Sequence, residues 1–169
     1  MKISIIAAMD EKRGIGKDNK IPWHIKEDLV RLKNLTRDHV VVLGRKSYDS
    51  MVGYYNKSGN PMPGKLYIVV TREKGYKPAR ENATIANSLE DAISFARSHL
   101  AKLDEVFVIG GAQIFQQAIA TADKLYLTLV EGEFDADTFF PDYSEFKKII
   151  SKEEHDSGEY KYTFLELEK

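Results

Sequence analysis

The chain has 169 residues, a natural size for one compact domain with a real core and too small for two ordinary ones. Its 25 basic and 26 acidic residues leave a net charge of -1, so no global field recruits nucleic acid or an anionic membrane, and any cationic site has to be local. Zero cysteines exclude disulfides, cysteine-based zinc sites and thiol catalysis, and the four histidines show no metal-ligand spacing.

The first apolar run, Met1 to Met9, is broken by Asp10-Glu11-Lys12-Arg13, far short of a membrane span or of a signal peptide's apolar core. It reads as a buried strand, and the protein as cytoplasmic. Strand-like runs follow at Ile3 to Ala8, His39 to Leu43, Lys65 to Val70, Thr84 to Ala86, Glu105 to Ile109 and Lys124 to Val130. Helical segments are expected between them at Lys26 to Leu35, Arg45 to Met51, Leu89 to Leu100 and Gln113 to Ile119, with Ser88 as an N-cap. Lys147 to Glu154 and Tyr160 to Leu167 flank the turn-like His155-Asp156-Ser157-Gly158 and predict a closing hairpin. The pattern is that of a single α/β domain over 1–169: a central, mostly parallel sheet with an antiparallel C-terminal strand and helices on both faces.

Within Ile15 to Leu32, Pro22 disfavours helix, so a helix begins only after Trp23 and sets Ile25, Leu29 and Leu32 on one apolar face. Asp28 falls on that same face. A carboxylate turned toward a core loses hydration worth about several kcal/mol and belongs there only with a specific partner. No residue nearby in sequence supplies one. The competing reading is a first-turn acid favoured by the helix dipole. Trp23, the only tryptophan, stands beside it either as a cover that keeps water away or as an ordinary core aromatic.

Sheets of this kind bind ligands beyond the carboxyl ends of their strands. After the run to Leu43 come Gly44-Arg45-Lys46-Ser47: a glycine for a tight exit, then cations and a hydroxyl where a helix begins, suited to phosphate. A solvated first turn is the alternative. Thr71-Arg72 follow the run to Val70, and Arg45, Lys46 and Arg72 together suit an extra ribose phosphate, which favours NADPH over NADH. Glu73 is close enough to fill the acidic role of an NADH site instead. Gly110-Gly111-Ala112-Gln113 open another helix, although a bare pair of glycines is weak evidence. Thr128 places a hydroxyl late in a buried strand, where it needs a partner unless strand propensity alone put it there.

Ile5-Ile6-Ala7-Ala8, Gly14-Ile15-Gly16, Ile21-Pro22-Trp23 and Asp28-Leu29, in this order and spacing, resemble the start of dihydrofolate reductase, and the later motifs extend the resemblance over nearly the whole chain. It implies hydride transfer from NADPH to 7,8-dihydrofolate, giving tetrahydrofolate, with Asp28 holding the pterin, Thr128 bonding that acid, and Ile21 and Trp23 closing over the site. It further implies substrate contacts from Ile6, Ala7, Leu29, Leu32, Met51, Met62, Lys65 and Ile109. For the cofactor it implies Ala8, Ile15, Gly16, Asn19, Gly44, Arg45, Lys46, Ser47, Val70, Thr71, Arg72, Ala112, Gln113, Ile114, Phe115 and Thr138, with Gly110 and Gly111 joined by a cis peptide. The loop Asp135 to Pro141 resembles the one that braces a mobile segment at 10–24, and an adenosine-binding subregion is expected at about 39–103. A monomer working on a small molecule, without nucleic acid or membrane, is the expected state.

Four features depart from the family's pattern, among them Ser47, which replaces a common threonine and keeps the hydroxyl. Lys65 follows Pro63-Gly64, where the family usually has an arginine clamping the substrate's glutamate carboxylate, and a lysine offers a point charge where arginine offers a fork. Phe115 stands where many relatives have tyrosine. The segment Tyr54 to Asn60 is longer than in compact relatives and is expected to reshape the outer cleft. The rivals are the related pyrimidine reductase of riboflavin synthesis, disfavoured by the Trp23 to Asp28 unit, and a non-catalytic nucleotide-binding module.

Overall fold

The computed structural model describes residues 1–99, 102 and 104–169. One sheet of eight strands organises the chain: β1 (Lys2–Met9), β3 (Val40–Gly44), β4 (Leu66–Val70), β5 (Ala83–Ala86), β6 (Glu105–Val108), β7 (Lys124–Val130), β9 (Lys148–Asp156) and β10 (Lys161–Glu168), in the order β5-β4-β3-β6-β1-β7-β10-β9. All pairings from β5 to β7 are parallel. β10 is antiparallel to both its neighbours, so it is the single reversed strand of the sheet. A small second sheet pairs β2 (Gly14–Gly16) with β8 (Thr138–Phe139).

Because side chains alternate along a strand, the sheet separates two apolar layers. Ile3, Ile5, Val40, Val42, Ile68, Val106 and Val108 pack with α3 (Leu89–His99) and α4 (Ala112–Ala118). Val41, Leu43, Tyr67 and Val69 pack on the other side with Tyr48 and Val52 of α2 (Arg45–Ser58). Beside that second layer, Ile25, just ahead of α1 (Lys26–Thr36), joins Trp23, Val130 and Tyr162. Helices thus cover both faces, as the strand–helix alternation implies. Among the described residues no helix is long and apolar enough to cross a membrane.

Two expectations change, and one strand pair is not expected from the sequence. α2 runs one and a half turns or more past Met51, through the segment expected as an insertion, and ends where Gly59 turns left-handed (φ 73°) and its N–H bonds the Tyr55 carbonyl at 3.0 Å. Gly53 inside it costs about 1 kcal/mol against alanine, too little to stop a helix that buries Val52. The hairpin turn lies later than expected, at 157–160, with Ser157 N–H bonding the Tyr160 carbonyl at 2.9 Å. The β2–β8 pair has strands too short to register as periodicity. Leu100, the expected end of α3, lies outside the described residues.

Candidate active site

Asp28 occupies the first turn of α1, but it does not serve that turn. Ile25 caps the helix with no side-chain hydrogen bond, and Asp28 reaches across to β7, where Thr128 Oγ1 donates to its Oδ1 at 2.5 Å. Thr128 is 2% exposed. Among the described residues nothing of the protein bonds Oδ2. Burial pushes the Asp28 carboxyl up from its ordinary range, against the opposing pull of the Thr128 hydroxyl and the Arg31 charge. Sequence reasoning finds no partner near Asp28 and misses Arg31, which stands three residues on, on the same side of α1. Its i, i+3 spacing is the available signal.

The apolar residues expected around a substrate share one property. Ile6, Leu29, Leu32, Met51, Met62 and Ile109 are all half-buried, on the side of the sheet that carries α1 and α2. A core would bury them fully, and a solvated surface would not collect them. Ala7 is the exception. It is 8% exposed and packs in the opposite layer, because adjacent residues of β1 point to opposite faces, so its side chain cannot line this cleft. Ala8, one residue on, shares the Thr128 side of the sheet and packs beside Trp23. Lys65 is exposed, its N–H bonding the His39 carbonyl at 2.8 Å. The last turns of α2 form a wall of an open cavity of about 480 Å³ lined also by Met62, Arg80 and Asn82.

Two strand ends meet beside this cleft. Gly44 N–H bonds the Gly110 carbonyl at 2.8 Å, and the Gly110–Gly111 peptide is cis, as the resemblance implies. Gly110 has φ 126°, and a Cβ there would lie 3.3 Å from the Phe115 ring, so no other residue fits without strain. A Cβ on Gly111 would stand 3.3 Å from Ser47 Oγ, which puts that hydroxyl at the glycine pair. The first turn of α2 has no side-chain cap, leaving its N–H groups free for an anion. This donor set suits a phosphate-bearing cofactor. The cations are less free than expected: Arg45 already pairs with Glu73 at 3.1 Å and Asp49 at 3.4 Å, while Lys46 and Arg72 are exposed. Such exposed pairs are worth about 0–1 kcal/mol, so a phosphate competes with them readily. Thr71 Oγ1 accepts the Glu73 N–H at 3.1 Å, and its proton remains available. Val70 ends β4 as the cross-strand partner of Gly44, and Ala112 and Gln113 open α4 after the glycine pair, whereas Ile114 and Phe115 are buried in the core behind them.

The segment 10–24 is tied down at several points. Asp10, only 4% exposed, accepts the N–H groups of Lys12 at 2.9 Å, Gly14 at 2.7 Å and Phe134 at 3.2 Å. Ile15 and Gly16 lie in or beside the pairing with β8, and Asp18 (φ 51°) and Asn19 (φ 61°) form the tip of a tight turn between Lys17 and Lys20. Asp18 N–H bonds Asp137 at 2.9 Å, and Thr138 donates its hydroxyl to the same carboxylate at 2.8 Å. These two bonds hold the Asp137 carboxyl below its usual range. In the sequence Asp10 reads as a mere interruption of an apolar run; the glycine four residues later, where the chain folds back, is the sign that points to its role. Trp23 is 6% exposed, edge-on to Phe134 at 5.3 Å, whereas Ile21 is 63% exposed and covers nothing in this conformation.

A mostly parallel α/β sheet with a half-buried carboxylate on one side of a half-apolar cleft, and a glycine pair beside an uncapped helix start at its strand ends, is the arrangement of a nucleotide-dependent enzyme. Comparison with known proteins narrows the class. The family model for dihydrofolate reductase matches residues 2–169. The chain is 37% identical to the dihydrofolate reductase of Bacillus subtilis (strain 168), over 99% of this chain and 94% of that protein. It is 38% identical to the enzyme of Staphylococcus haemolyticus, over 88% and 83%, and 38% identical to the type 3 dihydrofolate reductase of Salmonella typhimurium, over 85% and 80%. The chain belongs to the dihydrofolate reductase family and is an oxidoreductase of the kind that draws on a nicotinamide cofactor.

Proposed function

We propose that the protein reduces 7,8-dihydrofolate to 5,6,7,8-tetrahydrofolate with NADPH, and that Asp28 is the residue that receives the pterin. The observation that carries this reading is the Asp28–Thr128 pair: a half-buried carboxylate held by a buried hydroxyl through one oxygen and free through the other. Its free Oδ2 and the remaining lone pair of Oδ1 suit the two adjacent N–H donors of a pterin, the 2-amino group and N3. The ionised carboxylate then fixes ring orientation and stabilises positive charge that develops as N5 gains a proton. N5 lies across the ring from such a contact, so the proton reaches it through water.

Leu29, Leu32, Met51, Met62, Ile6 and Ile109 flank the ring system, Lys65 meets the glutamate carboxylate, and Trp23 with Ile21 limits water once the segment 10–24 draws over the cleft. Ser47, Lys46, Arg72, Thr71 and the first turn of α2 hold the phosphates, within an adenosine-binding region spanning about 39–103. Bound there, the cofactor supplies the hydride. The protein works as a cytoplasmic monomer; its edge strand β9 carries Lys152, Glu153 and Glu154, charges that discourage strand addition.

The test is loss of NADPH absorbance with dihydrofolate, with the pyrimidine substrate of riboflavin synthesis, and with neither. Turnover only with dihydrofolate is expected. Asp28→Asn is expected to bind NADPH as the wild type does while hydride transfer falls by about two orders of magnitude or more near neutral pH. Near-normal turnover in that variant removes Asp28 from the mechanism.

A further inference from the structure

Resting on the reading of Asp28 as the pterin-binding acid, we infer that Arg31 is its positioning residue: it bolts α1 to β7 one residue from Thr128 and keeps an unspent positive charge beside the carboxylate. The two bridges between α1 and β7 are adjacent on both elements. Asp28 takes the Thr128 hydroxyl, and three residues later Arg31 Nη1 donates to the carbonyl of Leu127 at 2.9 Å. One bond leaves a short helix free to roll about its axis; a second, almost a full turn away, fixes the roll and with it the direction in which Asp28 points. Otherwise α1 is thinly held, with Thr36 its only buried residue and Leu29 and Leu32 left half-open to the cleft.

The guanidinium is itself held in place. It lies over the Phe164 ring, 4.5 Å from the centroid, and 5.8 Å from that of Tyr126. Phe164 is the cross-strand neighbour of Thr128, so the stack stands at the same rung of the sheet as the carboxylate's partner. Among the described residues no carboxylate lies within ion-pair distance of Arg31. Glu166, the acid on β10 that acts on it, is bonded to Lys124 at 3.0 Å. The arrangement solves a conflict in the site. A cation paired directly with Asp28 would occupy the oxygens a pterin needs, whereas one tied to a backbone carbonyl attracts the carboxylate without blocking it.

The groups around the Asp28–Arg31 pair are Glu27 on the same helix, Thr128 and Tyr126 on β7, Tyr162, Phe164 and Glu166 on β10, and Glu153 on β9, with His155 of β9 stacking on Tyr162 at 5.3 Å. Arg31 is the cation acting on Asp28, since Lys124 is engaged with Glu166. The test follows the Asp28 carboxyl carbon by NMR through a pH titration of the substrate-free protein, with the signal assigned by its loss in Asp28→Asn and the series repeated in His155→Gln to remove the imidazole. Arg31→Met is expected to raise the Asp28 midpoint by about one pH unit, and to lower kcat about tenfold with NADPH affinity unchanged. Arg31→Lys is expected to bring the midpoint back toward the wild-type value. Arg31→Gln, which keeps a donor for the Leu127 carbonyl, replaces Arg31→Met should that variant not fold. A midpoint in either neutral variant that stays within about 0.2 unit of wild type, or an equal shift in Arg31→Lys, overturns the inference. The titration needs neither substrate nor cofactor, so its failure is separate from a failure of the proposed reaction, which wild-type turnover alone reports.

Discussion

At the scale of single residues, the ionised Asp28 weighs against the stability of the fold. Burial lifts its carboxyl above the ordinary carboxylate range, more strongly than Thr128 and Arg31 draw it down. A carboxyl whose folded-state pKa is raised stabilises the protein while protonated, below its unfolded value, and that contribution is lost as pH climbs through the folded value. At neutral pH the ionised group is therefore a net cost. Asp28→Asn keeps an acceptor for the Thr128 hydroxyl and removes the charge, so it is expected to be about 1 kcal/mol more stable than wild type at pH 7. Urea unfolding at a series of pH values checks this: the advantage should shrink as pH falls toward 4. A variant less stable at pH 7 would mean that the carboxylate is better solvated or better paired than its surroundings indicate. Asp28 announces itself in the sequence because a charge breaks an apolar stripe. Arg31 does not, because a cation at a helix surface is ordinary until a backbone carbonyl across the sheet is seen to receive it.

At the scale of elements, two glycines make opposite forecasts. Gly14 sits where a Cβ would lie 2.5 Å from the Ala136 Cβ and 2.6 Å from Asp10 Oδ2, in the knot that ties β2 to β8. Gly14→Ala is expected to cost about 1–3 kcal/mol and to speed amide hydrogen exchange through residues 10–20, because the clash falls on the carboxylate that collects three backbone N–H groups. Gly53, inside α2, has nothing within 4 Å of where a Cβ would stand, and is expected to gain about 1 kcal/mol as alanine. Exchange unchanged in the first variant would show that the knot bends without opening. These elements also mark where the sequence is readable. The strands of the parallel sheet stand out because Val40 to Leu43 and Tyr67 to Val69 are buried on both faces and read as unbroken apolar runs. The sequence cuts α2 short because Gly53 and the polar residues after it resemble a loop, while the helix continues on the strength of Val52 and a left-handed cap at Gly59. The β2–β8 pair is invisible there because its hydrogen bonds are tertiary, directed by Asp10 and Asp137 rather than by any pattern in its own few residues.

At the scale of the whole molecule, the sheet divides labour between its two sides. The layer under α3 and α4 is sealed core, and the layer under α1 and α2 opens into the cleft, so neighbouring residues of one strand end belong to different tasks. Val108 is fully buried among Ile3, Ile5, Val40 and Val106, whereas Ile109, the next residue, is half-buried beside Met51 and Met62. This alternation follows from the two-residue repeat of strand geometry and carries a kinetic consequence. Val108→Ala removes two methyl groups from a sealed layer and is expected to cost about 2–3 kcal/mol, at about 0.8 kcal/mol per buried carbon plus a cavity. Its KM for dihydrofolate should stay within about twofold of wild type, since its side chain points away from the proposed cleft. Ile109→Ala is expected to lose less stability, because water and neighbours already reach it, yet to raise that KM about tenfold by stripping one wall of the cleft. Urea unfolding and steady-state kinetics on both variants decide the matter together. A Val108 variant that loses substrate affinity as much as stability would show that the two layers are mechanically coupled through the sheet and that the cleft's shape depends on the sealed side as well.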